Sequence, residues 1–424
     1  MAISGISGGA SGGASGGASG GASGGASGGA SGGASGGASG GASGGASGGA
    51  SGGASGTSGL DVGASVYGGV TAYGGPLSAG IISAQDGIAG LWGGPELPVT
   101  HLAPNAPGVL KEHAPWVRSF LGLHELQSRV IVEEDHDAAT VDLFAIGGDS
   151  SGLSAQKLIH ISRPGEDVFQ AQMAHVRSYG DLRLDRFEEI HTQLGFPTPY
   201  YGAIVSLHPE RNAFALELIS LAQTFAAAVS MRIKRALACR RPDAYSVSVQ
   251  PMIPTPGHPS FPAAHAVEAF IVAGVLWRLC VRVAPDGADA ETVAHYTAAN
   301  DRRRVMLYRQ AARISDNRVI AGVHFPADSI AGASIGLTLA ELMVRAAGRE
   351  IDVHDVALNG QEIGGQEFTM GQVVDAATGQ RRLSSGGDSL FDGALEVTAI
   401  AGADDIAVAP TLQWLWEQAL GEIR

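Results

Sequence analysis

The chain has 424 residues, with 27 basic and 41 acidic side chains and a net charge of −14 at pH 7. This acidic balance argues against general nucleic-acid binding and against adhesion to anionic membranes. Two cysteines, Cys239 and Cys280, exclude a multi-disulfide framework, and their spacing matches no zinc motif.

The first 59 residues form a low-complexity tail of Gly, Ala and Ser. Twelve consecutive Ser-Gly-Gly-Ala units run from Ser7 to Ala54, and residues 1–59 hold 27 of the 63 glycines and no charged side chain. Beyond the first six residues the only apolar side chain is Ala, so burial cannot offset the loss of chain entropy. We expect a disordered linker, with a silk-like stack of flat sheets as the alternative.

Residues 60–424 are long enough to bury a large core, and we assign them to one domain. The N-terminus lacks the basic start and apolar core of a signal peptide, so a cytoplasmic location is the default expectation. The longest apolar stretches, Ala213–Met231 and His265–Leu279, contain Glu217, Glu268 and Arg278. We therefore expect buried core helices and no membrane span.

Residues 60–115 are rich in Gly and Pro, which favours irregular structure wrapped around the core. Helical patterns follow over Val117–Val132 and Val168–Leu194, separated by an acidic run, Glu133–Asp137, and a Gly/Ser-rich turn, Gly147–Gly152. The acidic run favours a solvated face, with a cation site as the alternative.

Four longer helical segments come next and define the expected core, residues 213–348. They are Ala213–Arg240, Ala263–Val283, Ala294–Ile314 and Pro326–Gly348. A mixed, Gly-rich region separates them from a terminal amphipathic helix, Pro410–Ile423. This order of elements predicts a mainly α protein with a helical-bundle core.

Lys234 and Arg241 belong to the first of three segments that place cations or histidines at helix ends. Their spacing of seven residues predicts that both lie on one helix face, and Pro242 would end that helix at Arg241. Five cations and no acid lie between Met231 and Pro242. Taken alone, such a segment is usually a solvated basic face.

The second segment starts at Pro262, which suits the first position of a helix. The amides of Ala263 and Ala264 would then lack helical partners, and the helix dipole would favour an anion in front of them. His265 in the same turn could transfer a proton to or from that anion. A solvent-facing histidine is the alternative.

The third segment contains Arg318, His324 and Asp328, with Pro326 at a helix start. Asp328 lies four residues after His324 and can bond to its ring, which would fix the tautomer and make the other nitrogen a better nucleophile or ligand. A satisfied core histidine is the alternative. Together the three segments suit a tetrahedral or trigonal-bipyramidal oxyanion.

The pattern Lys-x6-Arg-Pro, Pro-x-x-His and Arg-x5-His-x3-Asp resembles the type 2 phosphatidic acid phosphatase superfamily. That superfamily includes soluble acid phosphatases and vanadium-dependent haloperoxidases, which share a helical-bundle core. The resemblance implies that Lys234, Arg241 and Arg318 hold anion oxygens and that His265 is the general acid–base. His324 would be the vanadium ligand or, in a phosphatase, the nucleophile.

The fuller match His258-Pro-Ser-Phe-Pro-x-x-His resembles bacterial and algal haloperoxidases, and His258 falls where bromoperoxidases of this family tend to carry histidine. The resemblance therefore implies vanadate as the cofactor and His258 as a halide-site candidate, against the alternative of a loop histidine. Hydrogen peroxide, a halide and a small organic substrate would be the partners. A homo-oligomer, an acid phosphatase and a non-catalytic relative remain open.

Two positions depart from the family pattern. Ala263-Ala264 replaces the usual Ser-Gly before His265, and Asn317 replaces the usual Ser before Arg318. The missing hydroxyl would remove a hydrogen bond to a charged acceptor, worth about 1.5–3 kcal/mol. We expect weaker vanadate binding as a result, whereas Asn317 could still donate through its amide.

Overall fold

The computed structural model describes residues 76–88, 93–94, 100–149, 152–384, 390–400 and 405–423. The repeat tail, residues 1–59, lies outside them, as do residues 60–75 of the Gly- and Pro-rich stretch and part of the predicted turn at 147–152. The expectation of a disordered linker therefore stays a prediction.

Helices account for 56% of the described residues and strands for 12%, which confirms a mainly α fold. The α-helices are α1 (Pro76–Ile88), α2 (Pro115–Gln127), α3 (Glu166–Tyr179), α4 (Phe187–Thr192), α5 (Thr198–Val205), α6 (Ala213–Leu237), α7 (Pro242–Tyr245), α8 (Ala264–Leu279), α9 (Ala290–Ile320), α10 (Pro326–Ala346) and α11 (Pro410–Ile423). The strands are β1 (Val130–Asp135), β2 (Thr140–Asp149), β3 (Gly152–Ser162), β4 (His354–Leu358) and β5 (Leu395–Ala399).

Helix α8 is the centre of the bundle, because it packs against α6, α9 and α10. Two glycines let α10 approach it closely. A Cβ at Gly332 would lie 2.6 Å from the Ala266 Cβ, and one at Gly336 would lie 2.6 Å from the Val267 carbonyl oxygen. Both distances are shorter than a normal contact, so only glycine fits. The start of α8 is thereby held against the start of α10.

Helix α6 ends earlier than predicted, at Leu237 and not at Arg240. Ala238 adopts a left-handed conformation with φ of 52°, and its amide donates to the Lys234 carbonyl oxygen at 2.9 Å. This turn closes the helix before Pro242 is reached. Arg241 instead precedes the short helix α7, so the prediction that Lys234 and Arg241 share a helix face is wrong.

A five-stranded sheet was missed by the sequence analysis. Its order is β1-β2-β3-β4-β5, antiparallel except for the parallel pair β3–β4. The helix predicted to reach Val132 ends at Gln127, and β1 takes the acidic run, with burial that alternates along the strand. Glu134 pairs with Arg232 of α6 at 3.3 Å, so this strand face is braced by cations.

Within the described residues, two helical segments have the length and apolarity that a membrane span needs, Ala213–Tyr245 and Pro326–Ala346. In the apolar 18-residue window of each segment, the buried share is 67% for Ala213–Tyr245 and 100% for Pro326–Ala346. Such burial is also typical of the core helices of a bundle, which is the interpretation expected from the sequence.

Candidate active site

His324 lies in the turn between α9 and α10, and the predicted contact with Asp328 is present. Asp328 Oδ2 accepts from His324 Nδ1 at 2.8 Å and from the Phe325 amide at 2.9 Å. Arg241 Nη1 lies 3.3 Å from His324 Nε2. Because arginine can only donate, Nε2 is the acceptor and Nδ1 carries the proton. The lone pair that a metal ligand or nucleophile needs is therefore on Nε2.

The His324–Asp328 pair is buried, with 3% and 0% of each residue exposed. Burial, and then the positive charges of Arg241 and Lys234, hold the pKa of His324 well below its ordinary value, so the ring is neutral. Burial raises the pKa of Asp328, while hydrogen bonds from Ser260 and Phe325 act the other way. Ser260, whose Oγ donates to Asp328 Oδ2, lies within the motif His258-Pro-Ser-Phe-Pro, but the sequence alone assigned it no role.

Lys234 and Arg241 brace the loops that carry the histidines. Lys234 Nζ donates to the carbonyl oxygens of Pro259 and Ser260 at 2.8 and 2.6 Å. Burial, and then the positive charge of Arg241, hold the pKa of Lys234 well below its ordinary value. Arg241 Nη1 donates to the Val323 carbonyl oxygen at 2.7 Å. Burial lowers the pKa of Arg241 to about 10, so it remains charged near neutral pH.

His258 lies beside Arg241 at the partly exposed end of this group. Its carbonyl oxygen accepts from Arg241 Nε at 2.9 Å, and its Nδ1 lies 3.2 Å from Arg241 Nη2. The structure therefore brings His258 to the anion-site residues. A role in halide binding stays a prediction.

Arg318 is the third cation of the motifs, and its side chain is only partly hydrogen-bonded. It lies in the last turn of α9, is 1% exposed, and its Nη2 donates to the Ile190 carbonyl oxygen at 3.2 Å and to Gln193 Oε1 at 3.3 Å. Its Nε and Nη1 are buried with no hydrogen-bond partner in the described parts of the chain. Burial lowers its pKa to about 10, so a charged group with two unused donors remains inside the fold. A bound anion would neutralise this buried charge and accept hydrogen bonds from the two donors.

His265 is the second residue of α8, and its Nε2 lies 3.1 Å from the Gln193 carbonyl oxygen. Since a carbonyl oxygen can only accept, Nε2 carries the proton and Nδ1 holds the lone pair. Burial, followed by the positive charge of Arg318, lowers the pKa of His265 to about 3. Near neutral pH this ring is therefore neutral.

One of the two amides predicted to be free is in use. The Ala263 amide donates to the Asp328 carbonyl oxygen at 2.9 Å, and Ala263, not Pro262, precedes the first helical residue, Ala264. The close contact of α8 with α10 at Gly332 brings the two backbones together. The amide of Ala264 keeps its position at the start of the helix, where intrahelical acceptors are lacking.

Asn317 does not point its amide at the anion site, contrary to expectation. Its Nδ2 donates to Glu189 Oε2 at 3.1 Å and to Gln193 Oε1 at 2.8 Å, and its Oδ1 accepts from Arg186 Nη1 at 3.2 Å. Asn317 therefore joins α9 to α4. Glu189 and Gln193 lie more than a hundred residues earlier in the chain, so no motif spacing indicates them.

Glu268 lies nearly one turn after His265 on α8 and is 4% exposed. Burial raises its pKa to about 8, against the opposing effect of Lys234. It is protonated near neutral pH and does not neutralise the guanidiniums. The positive charges of Arg241 and Arg318 thus remain incompletely balanced.

The three motifs and the bundle that carries them agree with a known family. Residues 215–352 match the family model of the PAP2 superfamily. The match includes every residue from Lys234 to Asp328 discussed above. It supports the superfamily, whose members include phosphatases and haloperoxidases and are generally enzymes, without selecting a subtype. No curated protein shows significant similarity to the chain.

Proposed function

We propose that this protein is a vanadium-dependent haloperoxidase, which oxidises a halide with hydrogen peroxide and releases hypohalous acid that halogenates organic substrates. The observation that carries the proposal is the pair of buried Arg318 donors that have no partner in the described parts of the chain, close enough to His265 to lower its pKa. His324 adds a lone pair on Nε2. Vanadate bound there would supply the Lewis-acid centre that activates peroxide toward the halide.

The donor set fits an oxyanion with one nitrogen ligand. His324 Nε2 offers the nitrogen, and Arg318 Nε and Nη1 offer charged hydrogen bonds to oxygens. The Ala264 amide can add to these. In the described parts of the chain no group of three or more His, Cys, Asp or Glu side chains could hold a metal ion.

The motif that contains His258 favours a peroxidase over a phosphatase, because His258-Pro-Ser-Phe-Pro-x-x-His resembles the haloperoxidase branch more than the phosphatases. His265 suits proton transfer in either reaction, because its Nδ1 offers a lone pair while Nε2 stays bonded to the Gln193 carbonyl oxygen. Its pKa of about 3 without a bound anion makes the ring a weak base and a poor proton donor alike, and the negative charge of a bound oxyanion would raise that pKa.

An acid phosphatase is the second candidate, supported by the geometry of His324. Its Nε2 lone pair, oriented by Asp328, suits attack on phosphorus, and the same cations would stabilise the charge on the phosphoryl oxygens.

Two assays on one preparation separate these functions. Protein supplied with orthovanadate, hydrogen peroxide and bromide should brominate phenol red, and His324→Ala should abolish the reaction. The matched control is His160→Ala, because His160 also bonds to an aspartate, Asp142, at 2.6 Å but lies on the sheet. Steady turnover of an aryl phosphate without peroxide-dependent bromination would establish the phosphatase instead. Activity in neither assay would indicate a non-catalytic relative.

A further inference from the structure

We propose that Gln193 is a direct ligand of the bound oxyanion, through its side-chain Nε2, and that it positions Arg318 and His265. The inference rests on the proposed oxyanion site and does not depend on the reaction that follows. Gln193 caps the C-terminus of α4, outside the three motifs and outside the matched range 215–352.

Gln193 contacts both functional groups at once. Its carbonyl oxygen accepts from His265 Nε2 at 3.1 Å, and its Oε1 accepts from Arg318 Nη2 at 3.3 Å and from Asn317 Nδ2 at 2.8 Å. One residue therefore sets the tautomer of the proton-accepting histidine and orients the arginine that has unused donors.

The partners of Gln193 fix which way its amide points. Arg318 Nη2 can only donate, and so can Asn317 Nδ2, so the atom that faces them is the oxygen. The nitrogen, Nε2, is then on the other branch of the amide. Gln193 is 0% exposed, and Nε2 has no hydrogen-bond partner in the described parts of the chain.

Three unused donors thus lie on two hydrogen-bonded residues: Gln193 Nε2, Arg318 Nε and Arg318 Nη1. Buried donors without acceptors are unfavourable, and an acceptor with several oxygens would satisfy them together. A tetrahedral oxyanion is such a ligand. Gln193 thus offers the site a neutral donor, whereas Ala263 has no hydroxyl and the Asn317 amide is bonded to Glu189 and Gln193.

The surrounding network keeps α4 in place. Glu189, one turn before Gln193, is paired with Arg313 of α9 and accepts from Asn317 at 3.1 Å. Arg186 completes the link by donating to Asn317 Oδ1 at 3.2 Å. Gln193 is therefore held in position before an anion binds, which lowers the cost of ordering its side chain.

The test is calorimetric titration of the full chain with inorganic phosphate and with orthovanadate, without peroxide or halide. Gln193→Met should weaken both affinities by about 10- to 100-fold, as expected for loss of a hydrogen bond to a charged group. Gln193→Glu should weaken them further, because it replaces the donor with an oxygen and adds negative charge. The control is Gln310→Met. Gln310 Nε2 is also buried without a hydrogen-bond partner in the described residues, but it lies on α9 two turns before Arg318.

The outcomes separate this inference from the proposed function. Wild-type affinity in Gln193→Met would overturn the role of Gln193 and leave the oxyanion site standing. An equal loss in Gln310→Met would also overturn it, because the effect would then be global. A wild-type chain that binds neither anion would overturn both proposals. If Gln193→Met does not fold, Gln193→Glu becomes the deciding variant, because its carboxylate keeps an oxygen toward Arg318 and Asn317. Wild-type affinity in Gln193→Glu would refute the inference.

Discussion

Replacement of Arg318 by methionine separates a binding role from a structural one. In the free protein the pKa of Arg318 falls from 12.5 to about 10. At about 1.4 kcal/mol per pKa unit, this difference corresponds to roughly 3 kcal/mol against the charged form inside the fold. Methionine removes that unfavourable contribution. It also removes the two hydrogen bonds from Nη2 to Ile190 and Gln193. Each contributes about 1.5 kcal/mol, the lower end of the range for hydrogen bonds that involve a charged group.

These contributions nearly cancel, so Arg318→Met should change the free energy of unfolding by no more than about 1 kcal/mol without an anion. In the wild type, phosphate or vanadate should raise the melting temperature, because a ligand that binds only the folded state stabilises it. In the variant that shift should vanish. The assay is urea and thermal unfolding, with and without the anion.

Arg118→Met is the matched control. Arg118 is also buried, but its Nε and Nη2 pair with Glu217 at 2.9 and 2.8 Å, at the opposite end of α6 from Lys234. Breaking that pair should cost about 3–5 kcal/mol and leave the anion-induced stabilisation intact. The reasoning would be refuted if Arg318→Met lost as much stability as Arg118→Met and still responded to the anion.

Three further predictions concern the same site. Asp328→Asn should lower bromination by about 10- to 100-fold through loss of control over the His324 ring, whereas Asp142→Asn should leave it unchanged in the same assay. Ala263→Ser should bind vanadate about 10-fold more tightly in a titration, because a hydroxyl would return one hydrogen bond to the anion; equal or weaker affinity would contradict this. Glu268 has a pKa raised to about 8 in the folded protein, so its neutral form stabilises the fold at low pH and that stability is lost as the pH rises from 4.5 to about 8. In urea unfolding, the free energy of unfolding of Glu268→Gln relative to the wild type should therefore increase by up to about 1.4 kcal/mol for each pH unit across that interval. A difference that does not change with pH would show that Glu268 ionises normally.

The helical core could be predicted from the sequence because its elements are long and strongly patterned. The terminal helix Pro410–Ile423 has its predicted bounds, and α10 differs from its prediction by two residues at one end. The His324–Asp328 contact followed from helical spacing alone, since residues four apart on a helix meet.

The remaining features depend on tertiary structure, which spacing does not encode. Ala238 closes α6 in a left-handed conformation that alanine rarely adopts, so no residue type signalled the end of the helix. The Ala263 amide is used because α10 lies against it, and Gln193 reaches the site because α4 is bound to α9. The sheet was missed because the short apolar run in β1 follows a helical pattern directly.

The central claim is that one oxyanion site formed by the three motifs supports halide oxidation. The most direct measurement is bromination of phenol red with hydrogen peroxide as orthovanadate is titrated, at several fixed phosphate concentrations. We predict that activity saturates with vanadate, that phosphate competes for the same site, and that His324→Ala is inactive at every concentration. Bromination that is absent at saturating vanadate, or that is unaffected by phosphate and by His324→Ala, would contradict the account.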